Sequence, residues 1–307
     1  MQKLTDWIYG VDLGDKSSVL NGSNSVTGEA IEGFVKMTPK SVRARFDDLE
    51  RGTVVIETGT HARWVERELL RLGFDVFVCN PRELKALTSS DKKCDRHDAD
   101  LLRRMMIAGL LHRVYHRSDD AQAEFSILRA RDALVRARTS LVSTARGLVK
   151  PLGHRLSSSS VEAFVKQTRD QVPTELELAL GPIYDQIDEL NKAIKKYDKQ
   201  IDALLEKHAD TRFLRQVPGV GRITALAFYL AIENPERFKS SRALGAYFGL
   251  RPRIRESGQQ RPQLGITKAG NQFLRRLLVQ CAHHVLSQGP DSDLKRWGLA
   301  YAERGAK

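Results

Sequence analysis

The chain has 307 residues, long for one hydrophobic core and suited to two globular units with a connector. Hydrophobic residues make up 41% and charged residues 29%, which excludes a disordered chain; no apolar run reaches the ~18 residues that span a bilayer. Fifty Lys and Arg against 38 Asp and Glu leave a net charge of +12, which favours acidic partners.

Met1 to Trp7 shows no basic segment followed by an apolar stretch, so no secretory signal is expected and a cytoplasmic location is. Trp7–Asp12 reads as a buried strand ending in a carboxylate, with Ser17–Leu20 and Ala30–Val35 pairing beside it as a meander. Pro39 opens a helix that runs to Leu49, and Thr53–Glu57 is a second apolar strand that ends in an acid. Trp64, Leu69, Leu70 and Leu72 mark a helix stopped by Gly73; Asp75–Cys79 is a third strand, and Pro81 starts another helix. Strands alternating with helices predict an α/β sheet covered by helices. Cys79, Cys94 and Cys281 are odd in number and widely spaced, which suits inert thiols better than a zinc site.

Beyond Asp119 the strand signal ends and the chain reads as all-α. Apolar pairs recur every seven residues from Ile127 and Leu128 to Leu148 and Val149, and a second stripe runs from Ile183 to Leu204 at alternating spacings of four and three. Pro182 is expected at the first position of that second helix, giving 26 residues and roughly 39 Å to Lys207. The spacing fits equally a hairpin folded back within one chain and a coiled-coil arm that joins protomers. Gly153–Ser160 between the stripes reads as a polar turn. Downstream, Pro218-Gly219-Val220-Gly221 makes a tight turn between apolar helices, resembling a helix-hairpin-helix; helix-start amides at such a turn can meet a phosphate without reading sequence. A simple turn between packed helices is the alternative. From Glu236 to Arg276 ten bases stand against two acids, a bias that favours nucleic acid over a solvated face, where signs usually mix. The domain division follows as 1–118, an α/β unit; 119–208, a helical connector; and 209–307, a helical domain.

Four acids stand out. Asp12 and Glu57 end predicted strands, where open α/β sheets place functional groups, and Asp95 and Asp98 lie three residues apart near a helix start. Taken singly, each also suits an ordinary strand end or a helix dipole. Converging, they would repel one another without cations, and hard carboxylate oxygens suit magnesium, two ions of which can clamp a phosphodiester.

Asp12 in Val-Asp-Leu-Gly, Glu57 in Val-Val-Ile-Glu-Thr-Gly-Thr, and Asp95 and Asp98 in Cys-Asp-Arg-His-Asp-Ala-Asp resemble the DEDD transposases of insertion elements, a group that includes the Piv-type DNA invertases. A second signature runs from Gly249 through Arg253, Arg255, Ser257-Gly258 and Arg261 to Leu264-Gly-Ile-Thr-Lys268-Ala-Gly-Asn271. The resemblance implies a ribonuclease H-like first domain whose acids Asp12, Glu57, Asp95 and Asp98 bind Mg2+. It also implies Ser257 as a nucleophile that forms a phosphoserine link in a composite site. Cys94 stands where the family often has threonine, Asp100 could replace or supplement Asp98, and Gln259 follows Gly258 where a second glycine is frequent. Gly219, Gly221, Arg253, Arg255, Arg261 and Lys268 would contact nucleic acid. Expected partners are element-end and target DNA on the chromosome of a prokaryotic cytosol, a structured noncoding guide RNA in some members, and further copies of the chain as dimer or tetramer. Two rivals are a junction-resolving nuclease that uses metal and water alone, and a non-catalytic architectural DNA-binding protein.

Overall fold

The computed structural model describes residues 6–80, 95–255, 262 and 264–303, with the side chain of Asp95 outside the description. They divide into two compact units, Met1–His116 and Arg117–Lys307.

The first unit is built on a five-stranded mixed sheet. Its strands are β1 (Trp7–Asp12), β2 (Ser17–Asn24), β3 (Ala30–Lys36), β4 (Thr53–Glu57) and β5 (Asp75–Cys79), in the order β3-β2-β1-β4-β5. β2 runs antiparallel to β1 and β3, while β4 is parallel to both β1 and β5. Both faces of the central strands are covered, which is why β1 and β4 read as nearly unbroken apolar runs. On one face Tyr9, Val11, Val54, Ile56, Val76 and Val78 pack with α1 (Pro39–Asp47) and α2 (Ala62–Arg71). On the other, Ile8, Val55, Phe77 and Cys79 pack with Leu102, Met105 and Met106 of α3 (Asp95–Ile107). Thr38 caps α1, its hydroxyl accepting from the Ser41 amide, and Gly73 takes φ +86° just after α2. The helix expected from Pro81 lies outside the described residues.

The second unit is helical. α4 (Asp119–Leu148) is followed by the short α5 (Phe164–Thr168) and by α6 (Glu177–Lys207); then come α7 (Thr211–Leu214), α8 (Arg222–Ile232), α9 (Ala243–Tyr247), α10 (Gln272–Ser287) and α11 (Asp293–Glu303). α4 and α6 pack against each other within the chain. Val142, Ala145 and Val149 meet Leu180, Tyr184 and Ile187 at one end, while Phe125, Leu128 and Ile201 join Leu226, Leu230, Phe273 and Leu274 at the other. The heptad stripes therefore face each other within a hairpin of this chain, with Leu128, Val142, Val149, Ile187, Leu190, Ile194 and Ile201 buried. Across the hairpin, Arg131 pairs with Asp198 at 2.9 Å, and the buried Arg138 donates to Asn191 at 2.7 Å and to Glu162 at 2.6 Å.

The start of the second long helix differs from expectation. It begins at Glu177, so its 31 residues span about 46 Å and Pro182 sits inside it. A proline there removes the single bond to the carbonyl of Leu178, and Leu178 is 96% exposed, so water can take that acceptor. The lead-in comes from the 3-10 turn at Thr174–Leu176.

Candidate functional site

The acids of the first unit are brought together by register. Val11 lies opposite Ile56 in the parallel β1–β4 pair, so the next residues, Asp12 and Glu57, end neighbouring strands about 4.8 Å apart. Side chains alternate along a strand, and Ile8 and Val55 face α3, so Asp12 and Glu57 belong to that same face.

Gly10 fixes how α3 lies there. A Cβ on Gly10 would fall 2.0 Å from the carbonyl oxygen of Ala99 and 2.9 Å from the amide of Arg103, so the helix backbone rests directly on the strand. Because Ile8 packs with Leu102, Met105 and Met106, the amino end of α3 points toward the strand end that carries Asp12. From Gly10 to Asp12 is two strand residues, about 6.6 Å, and from Ala99 back to Asp95 is four helix residues, about 6 Å. The first turn of α3 thus stands level with Asp12 and Glu57. This glycine escaped the reading of the sequence, although a glycine inside a strand is a signal of close backbone approach.

Asp98 and Asp100 take different sides of the helix, about 160° apart at 3.6 residues per turn. Asp98 shares its flank with Leu101 and Met105, which pack with Val55, Phe77 and Cys79 of β4 and β5. Asp100 turns toward β2: Arg103 Nη2 donates to it at 2.5 Å and Arg104 Nε at 2.9 Å, while Arg103 also binds Asn21 and Ser23, each at 2.7 Å. Asp100 is thereby spent on an arginine cluster, and Asp98 is the acid on the side of Glu57. Among the described residues no three His, Cys, Asp or Glu side chains are arranged to hold a metal ion.

The loops leaving the two strand ends are joined by a feature that the sequence did not disclose. The Trp64 indole donates to His61 Nδ1 at 2.9 Å, which leaves the proton of a neutral imidazole on Nε2, 3.3 Å from Asp15 Oδ1. Asp15 follows β1 and His61 follows β4, so this bridge ties together the segments just past Asp12 and Glu57.

In the second unit, Gly219 takes φ +82°, and a Cβ there would lie 3.1 Å from both the Cys281 carbonyl oxygen and Val285. That glycine is needed for the turn to seat on α10. Gly221 caps α8 with open space around its Cα. The basic segment is anchored at its base. The Arg253 amide donates to the Gly265 carbonyl at 3.0 Å, the Thr267 amide to Arg251 at 2.9 Å, and the Lys268 amide to Gly249 at 3.1 Å, around the Pro252–Ile266 bridge. Arg253, Arg255 and Lys268 are exposed, and Lys268 has φ +56°. Ser257 and Arg261 lie outside the described residues.

Residues 211–295 match the model of the family described as Transposase IS116/IS110/IS902. The chain is 28% identical to the transposase for insertion sequence element IS1111A of Coxiella burnetii, over 89% of this chain and 78% of that one. It is 30% identical to a probable family 20 transposase of Pseudomonas aeruginosa, over 80% of this chain and 74% of the relative. Among solved structures, Thermus thermophilus RuvC aligns with 35% of this chain and 99% of its own at 13% identity, with a TM-score of 0.27.

Proposed function

Because the chain belongs to the IS116/IS110/IS902 transposase family, and is thus the transposase of an insertion element, we propose that it cuts and rejoins DNA through Ser257 and a carboxylate-held magnesium centre. The observation that carries the metal half is the parallel register setting Asp12 beside Glu57 on the sheet face that α3 covers, with Asp98 on the adjoining flank. Strand order and the antiparallel β2 support reading this unit as ribonuclease H-like. In donor chemistry Asp12, Glu57 and Asp98 fit magnesium, and Asp95, which opens α3, completes the set of four. Bound there, two Mg2+ would neutralise the carboxylates and polarise phosphoryl oxygens.

In this reading the Ser257 hydroxyl gives up its proton to a base and its oxygen attacks phosphorus. One phosphorus–oxygen bond forms, the bond to the departing sugar oxygen breaks, and that oxygen takes up a proton. The phosphoserine keeps the phosphodiester's bond energy, so attack by the hydroxyl of another strand rejoins DNA without a nucleotide cofactor. Arg253, Arg255, Arg261 and Lys268 would neutralise the phosphate, and the amides at Gly221 would meet DNA backbone. The +12 charge supports nucleic-acid partners, which we take to be element-end and target DNA and a structured guide RNA. A dimer or tetramer would bring two DNA ends together. No described helix is long and apolar enough to cross a membrane.

The test is incubation of the full chain with labelled element-end DNA and magnesium, followed by denaturing electrophoresis. A denaturation-resistant adduct that maps to Ser257 and vanishes in Ser257→Ala is expected. Strand transfer that persists unchanged in Ser257→Ala would end the serine mechanism in favour of metal and water alone.

A further inference from the structure

A groove of about 420 Å³ lies between α4 and α10 in the second unit and is closed at one side by Ile266 and Lys268. Among the described residues five cations line it, Arg129, Arg136, Lys268, Arg275 and Arg276, against one acid, Asp132, an excess of four positive charges. Asp132 pairs with Arg136 at 3.2 Å and also with Arg276, so the one acid orients two guanidinium groups. Arg276 and Arg129 both lie against the ring of the buried Phe273, at 5.6 and 5.8 Å from its centroid. Arg275 is fixed by the carbonyls of Phe248 and Ala269 at 3.1 and 2.8 Å. Arg129 and Lys268 are exposed at the rim, and neither side chain makes a hydrogen bond or ion pair to a described residue.

A solvated helix face alternates charge signs, whereas here the one negative group among the described lining residues is spent on holding positive ones in place. So large an excess suits a polyanion rather than a single carboxylate or phosphate. Position supplies the rest. Ile266, in the groove wall, bridges to Pro252, and those two residues are the base of the segment that carries Ser257.

We propose that this groove is the track for the DNA strand leading to Ser257, with its phosphates held by Arg129, Arg136, Arg276 and Lys268. The assignment to DNA rests on Ser257 as the nucleophile. It adds α4, a helix of the hairpin, to the DNA-contacting surface.

The test is fluorescence anisotropy with the full chain carrying Ser257→Ala, which silences chemistry, titrated with labelled duplex DNA and with labelled single-stranded RNA over a range of salt. Arg129→Glu with Lys268→Glu should weaken DNA binding by about tenfold or more, and Arg129→Gln with Lys268→Gln should flatten the log–log salt dependence by about two. Neither side chain makes a hydrogen bond or ion pair to a described residue and Arg129 gives up only an exposed contact with the Phe273 ring, so the melting temperature should fall little, and the Gln pair stands in if the Glu pair misfolds. DNA affinity and salt slope unchanged in the folded Gln pair would overturn the proposal, as would a loss confined to RNA. The wild-type adduct assay is read separately: a Ser257 adduct without a groove effect refutes the groove alone, and a groove effect without an adduct refutes the nucleophile.

Discussion

The two units concentrate charge of opposite sign by different means. In the first, negative groups from distant parts of the chain meet at one edge because parallel strands β1 and β4 end level, with Val11 opposite Ile56. In the second, positive groups spread along helix faces and the 249–268 segment, and the one acid in the groove between α4 and α10 is tied to two arginines. A sheet edge fixes a few groups tightly, which suits bond-breaking chemistry. Helix faces present many groups over a long surface, which suits holding a polymer.

The largest expected effect breaks the first half of this comparison. Asp12→Asn should lower strand cleavage on the order of 10²- to 10³-fold while the chain stays folded, read by thermal unfolding beside the cleavage assay. Asp100→Asn, which disturbs only partly exposed ion pairs, should leave cleavage within a few fold and cost about 1 kcal/mol or less. Equal losses of cleavage from the two variants would refute the division of roles between the flanks of α3.

Next in size is Gly10→Val. The added side chain collides with the backbone of α3 at Ala99, so the helix must shift, at an expected cost of about 3 kcal/mol in thermal or denaturant unfolding. Cleavage should fall with it even though no acid has changed. A variant of undiminished stability would show that the contact between β1 and α3 is looser than described.

The smallest effect lies in the second unit. Burial pushes the Glu124 carboxyl up, but hydrogen bonds and charge from Lys207 and His208, at 2.7 and 2.6 Å, outweigh it and hold the group below its ordinary value of 4.5. A folded-state value below the unfolded one means the stabilisation is complete above about pH 4.5 and is lost as pH falls through the folded value. Glu124→Gln should therefore flatten the acid side of the stability profile. An unchanged acid limb would remove this cluster from the account.

Much of this was legible in the chain itself. Trp7–Asp12, Thr53–Glu57 and Asp75–Cys79 read as strands with the bounds they adopt, since apolar runs buried on both faces carry a strong signal. The long helices showed in their heptad stripes. The start of α6 was misplaced because Pro182 is a favourable first residue, and only the solvent around Leu178 makes it tolerable five positions further in. The close seating of Gly219 against Cys281 and Val285 has no local signal, because those residues lie more than sixty positions away.

The sequence by itself determined which residue types were available: acids at strand ends, a basic segment around Ser257, and two apolar stripes long enough to pair. These are local properties, written in spacing and composition. Tertiary structure alone decided that Asp98 lies on the flank toward Glu57 while Asp100 turns to arginines, that the stripes close on each other within one chain, and that Arg129 and Arg136 line a groove with Lys268. Those outcomes depend on helix rotation and strand register, which are set by packing between segments far apart in the chain.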